Sequence, residues 1–142
     1  MDRNKIIEAM AKKTIEIYNS NEQYNSKEKR GMLVVQIRSA ENPDQWDTTI
    51  RSFGTPYDTT GNGFSMDTTV HEKIAYVRRT GKKSGAEKSE VVGTESFWEG
   101  AIISDDGNCI CAFSGFEGTD DVLIAKDGLA VYEGLKGTSS VG

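Results

Sequence analysis

The sequence predicts an α+β domain in which an antiparallel β-sheet is flanked by helices. Three observations predict it. The patterned segments run helix, strand, strand, helix, strand, strand, helix. Ala101-Ile102-Ile103 and Cys109-Ile110-Cys111-Ala112-Phe113 bracket Asp105-Asp106-Gly107-Asn108, the pattern of a hairpin closed by a glycine-containing turn. Met32-Leu33-Val34-Val35-Gln36-Ile37 is an almost unbroken apolar run rich in β-branched residues, as expected of a central strand covered on both faces.

Taken in order, Ile6, Ile7, Met10, Thr14, Ile17 and Tyr18 recur at helical spacing between Glu8, Lys12, Lys13 and Glu16, which predicts a helix over about residues 3–20 with one buried face. Asn19-Ser20-Asn21 stops it, and the polar stretch through Arg30 reads as a connection. After the central strand, Asn42-Pro43-Asp44 forms a turn, and Asp47 to Thr55 reads as a second strand with a short helix as the alternative. Residues 56–64, with Thr59-Thr60-Gly61-Asn62-Gly63, form a loop of the kind that sometimes borders a ligand site.

Asp67 or Thr68 begins a second long helix, with Val70, Ile74 and Val77 on one face, His71, Lys73 and Arg78 on others, and an end near Thr80-Gly81. Lys82 to Glu95 is a mixed loop with room for one helical turn. Ser114-Gly115 ends the last strand, and Thr119 is placed to cap a final helix whose first turn carries Asp120 and Asp121. That helix is expected to turn Val122, Leu123, Ala125, Leu129 and Tyr132 inward and to close at Gly134, leaving residues 137–142 as a frayed tail.

A chain of 142 residues is read as a single domain, residues 1–142, able to bury a core without disulfides or a structural metal. The net charge of −5 argues against nucleic acid as a partner. Eight Lys/Arg against five Asp/Glu in residues 1–38, and two against nine in residues 91–142, imply a polarised surface suited to self-association or to a charged ligand, or simply solvated helix faces. The charged start offers no apolar signal segment, and no run is long enough to span a membrane. Two cysteines one residue apart are too few for a disulfide framework, so the expected compartment is a reducing cytoplasm.

Chemistry is sparse. His71 is the sole histidine, which excludes a Cys/His zinc set and leaves it as an axial ligand to haem iron, a general base, or a half-exposed helix residue. Cys109 and Cys111 point to one side of their strand and read as small buried hydrophobes or as a soft-metal or redox pair. Arg78, Arg79, Lys82 and Lys83 form a cationic cluster suited to carboxylates such as haem propionates, to phosphate, or to the negative end of their own helix. No phosphate-binding glycine fingerprint, nucleophile elbow or catalytic carboxylate pair stands out.

Glu99-Gly100-Ala101-Ile102-Ile103, the Asp-Gly turn, Phe113-Ser114-Gly115, and Asp121 with Ala125 downstream resemble the C-terminal half of the GlcG, HbpS and PduO C-terminal domain family. Lys73 followed by Arg78-Arg79-Thr80-Gly81 and Ser84 is similar to that family's central helix. Glu99 stands where the family has a first glycine, and Ile102 where it has proline. The resemblance implies a profilin-like or PAS-like domain that forms homo-oligomers and binds a small molecule such as haem or a related tetrapyrrole. The expected ligand contacts, read from side-chain chemistry and not carried over from the family, are His71, Lys73, Arg78 and Arg79, with His71 on any haem iron. The alternatives are an oligomeric assembly module without cofactor, and an enzyme of tetrapyrrole breakdown.

Overall fold

The computed structural model describes residues 2–55, 65–85 and 88–139. Helix α1 (Arg3–Ser20) starts where the Asp2 carboxylate accepts from the amides of Asn4 and Lys5, and it turns Ile6, Ile7, Met10 and Ile17 inward. The polar connection after it contains a helix, α2 (Glu22–Asn25), because the Asn21 side chain caps the Gln23 amide and stops the chain from extending.

Strands β1 (Met32–Arg38), β2 (Trp46–Ser52), β3 (Ala101–Ile103) and β4 (Cys109–Ser114) form one antiparallel sheet in the order β2-β1-β4-β3. The expected α+β architecture is therefore the observed one. β1 is central, as its apolar run predicts, and lies between β2 and β4. β2 ends three residues before the expected Thr55, because Gly54 takes a positive φ of 65° hard against the Lys29 carbonyl and redirects the chain.

Alternation along the strands sorts the core into two layers. Leu33, Val35, Cys109, Cys111 and Phe113 face α1 and the last helix, α4 (Gly118–Ser139). Met32, Val34, Ile110 and Ala112 face α3 (Met66–Thr80), which Ser65 caps and Gly81 ends with a left-handed φ of 70°. The mixed loop after α3 holds one short turn of 3-10 helix over residues 88–90. The loop expected over residues 56–64 lies outside the described residues.

Three expectations for α4 need correction. The helix starts at Gly118, with the Glu117 carbonyl accepting from the amides of Asp120 and Asp121, so Thr119 lies inside it rather than capping it. Its inward stripe is Asp121, Ile124, Ala125, Gly128 and Tyr132, while Leu123 is 43% exposed. It also runs on past Gly134, which keeps a negative φ, and takes Gly137 to Ser139 into the helix.

Candidate functional site

Both α3 and α4 carry a charged residue inside the apolar stripe. On α3 the buried positions are Met66, Thr69, Val70, Lys73, Ile74, Tyr76 and Val77, so Lys73 belongs to the face it was expected to avoid. On α4, Asp121 precedes Ile124 and Ala125 at the same helical spacing. The end of β4 brings the two together. Lys73 Nζ lies 3.0 Å from Asp121 Oδ2 and donates to the Phe113 carbonyl at 3.0 Å, and both side chains are almost wholly buried.

The backbone is shaped for this pair. Gly100, at φ 132°, passes so close that a Cβ there would stand 2.6 Å from Lys73 Nζ and 2.5 Å from the Phe113 carbonyl oxygen. The second Asp121 oxygen accepts from the Phe116 amide at 2.9 Å, which locks the turn from β4 into α4. Tyr24 of α2 holds the same turn from outside: it stacks on Phe116 at 4.2 Å, accepts from the Glu117 amide at 2.9 Å and donates to Asp120 at 2.6 Å.

Burial pushes the Asp121 carboxyl up to about 7 against the opposing pull of the Lys73 ammonium. The same desolvation draws the Lys73 amine below its ordinary value, against the pull of Asp121 and Glu99. Two of the three ammonium donors are engaged, by the Phe113 carbonyl and Asp121, and one remains.

The pair lies at the floor of a pocket of about 490 Å³, within the range of small-molecule sites. Met66, Ser114, Phe116 and the turn through Gly118 form one side. Phe97, Trp98 and Glu99 form the other, with Phe97 38% and Trp98 44% exposed. That wall is pinned to α3: Ser96 donates its amide to the Glu72 carbonyl at 3.1 Å, and Arg79 grips Glu95 through two bonds of 2.7 and 3.0 Å. Gly85 and Gly118 clear a path for Glu99, since a Cβ on either would come within 2.7 Å or 3.2 Å of its side chain.

Of the four residues expected to contact a ligand, Lys73 alone lines this pocket. Arg79 acts one layer behind, through Glu95. Arg78 lies on another surface, 5.6 Å from the centre of the Trp46 ring, whose indole also carries Arg38 at 4.4 Å. His71 is outside the lining and 3.5 Å from Asp67, one turn earlier on α3. Cys109 and Cys111 face the opposite side of the sheet, buried with sulfurs 3.9 Å apart; their contact and their burial push the Cys111 thiol well up.

No imidazole or thiol is among the described residues that line the pocket; the sulfur in this lining is the Met66 thioether, 3.8 Å from the Ser114 hydroxyl. Among the described residues no cluster of three or more His, Cys, Asp or Glu is placed to hold a metal ion, and no helix is long and apolar enough to cross a membrane. Asp121 and the segment from Phe97 to Glu99 were missed by sequence reasoning. A charged residue in phase with an apolar stripe is the signal that reveals Lys73 and Asp121; Phe97, Trp98 and Glu99 lie in an irregular segment with no periodicity to read. The chain matches no protein-family model, no curated protein and no solved structure.

Proposed function

We propose that this chain is a small-molecule binding protein whose ligand sits over the Lys73–Asp121 pair. The observation that carries this reading is the remaining ammonium donor of a buried lysine at the floor of an aromatic-walled pocket. Phe97 and Trp98 above the pair are partly exposed, and a ligand in the pocket would gain from covering that apolar area. The resemblance of the β3–β4–α4 stretch to a tetrapyrrole-associated family points toward ligand binding as well. The ligand favoured by this lining is a compact organic molecule with an acceptor oxygen for Lys73, rather than a haem held through iron.

A fragment screen followed by amide chemical shifts tests the reading: hits should perturb Lys73, residues 97–99 and residues 115–118 together. A screen in which no fragment moves that set overturns it. Haemin titration tests the iron version separately. A shifted Soret band lost in His71→Ala would show that His71, and not this pocket, is the site.

A second reading, self-assembly, is favoured by one feature of β2. This strand ends the sheet on one side, its Ile50 is 49% exposed, and antiparallel pairing of two copies about Thr49 sets Asp47 of each opposite Arg51 of the other. Light scattering at micromolar concentration tests it, with a dimer expected that Arg51→Asp dissociates; a strictly monomeric particle counts against it.

A further inference from the structure

We infer that the pocket selects a small organic cation, a primary or quaternary amine, over an organic anion. The inference rests on the binding reading above and adds the chemical class. Among the described residues that line the pocket, Lys73 is the one cation; it pairs with Asp121 and is also attracted by Glu99, so the carboxylates of Asp121, Glu99 and Glu117 outnumber it. The N-terminus of α4, which by itself attracts anions, is already answered by Asp120 and Asp121 in its first turn.

Geometry places these charges usefully. Glu99 crosses the rim between Gly85 and Gly118, and Glu117 sits beside Gly118, where its carboxylate accepts from Gln23 at 3.1 Å. Phe97, Trp98 and Phe116 offer aromatic rings to the same space. Aromatic faces attract cations and carboxylates complete the match, so an ammonium group at the rim gains from both while a carboxylate meets two like charges. The remaining Lys73 donor at the floor then takes an acceptor oxygen carried by the same molecule.

The test uses the full chain in a Trp46→Phe background, so that the one indole N–H signal belongs to Trp98, titrated at low salt with benzylamine and, separately, with benzoate. Benzylammonium is expected to shift the Trp98 signal saturably, with affinity falling about fivefold or more in Glu99→Gln and with added salt; benzoate at equal concentration should not move it. Glu99 is exposed, so Glu99→Gln keeps the fold, and an unchanged affinity in that variant overturns the inference. Tighter binding of benzoate overturns the cation class while leaving a ligand pocket standing. No shift with either probe overturns the inference, and the fragment screen then decides separately whether the pocket binds anything at all.

Discussion

Lys73 and Asp121 hold most of what is unusual in this molecule. Removing one partner of a buried pair strands the other charge, so Lys73→Met or Asp121→Asn alone should cost about 3–5 kcal/mol, while Lys73→Met combined with Asp121→Leu should recover most of it. Urea unfolding of the three variants gives the comparison. The pair also has a pH signature. Because the folded Asp121 carboxyl titrates near 7, the folded chain holds a proton there that the unfolded chain has released, and this group's contribution is full below about pH 4 and falls as pH rises toward 7.

Asp106 works in the opposite direction. Burial pushes its carboxyl up, but hydrogen bonds from Ser104, Tyr132, the Asn108 amide and Lys136 outweigh that and hold it well below the usual carboxylate range. Its contribution is present above about pH 4 and is lost on further acidification. Midpoints of urea unfolding across pH should therefore lose their slope between about 4 and 7 in Asp121→Asn, and lose part of the acid limb in Asp106→Asn. The first of these residues was legible as an acid at a helix start; its burial was not, because that depends on β4 and Lys73 arriving from distant parts of the chain.

At the scale of elements, α4 contains a controlled comparison. A Cβ at Gly128 would stand 2.7 Å from Met10 Sδ and 2.8 Å from Cys111 Sγ, where α4 crosses α1 and the sheet, whereas among the described residues a Cβ at Gly134 meets no atom within 4 Å. Gly128→Ala should thus destabilise by about 1–3 kcal/mol through overpacking, and Gly134→Ala should stabilise by about 0.5–1 kcal/mol through helix propensity. Thermal unfolding of the two variants distinguishes the signs. The same helix shows where sequence reading succeeds and fails. Periodicity finds α1, α3, β1 and the β3–β4 hairpin, whose signals are local. It misses the start and end of α4, because Thr119 and Gly134 are suitable terminators that the backbone of Glu117 and the packing of Tyr132 override. It also misses α2, whose four residues are too few to show a period.

For the whole molecule, the two central strands β1 and β4 are covered on both faces and flanked on both edges, while β2 ends the sheet. Amide hydrogen exchange should be slowest in β1 and β4 and faster in β2 and in the irregular segment 92–98. The legible part of the site follows the same division. Its floor is built on regular elements, and a charge in an apolar stripe reveals both halves; its aromatic wall is irregular and visible only once Arg79 and Glu72 are seen to anchor it.

The sheet order also sets a sequence of events. Each hairpin can close early from neighbouring residues, but they join only when β1 meets β4, which lies far along the chain from it. Lys73 acquires its acceptor from Phe113 and its counter-ion from Asp121 at that same step. A chain emerging during synthesis therefore carries a solvated, freely titrating lysine on a half-formed helix until its last strand and helix appear. The floor of the pocket comes into being with the completed fold and not before it.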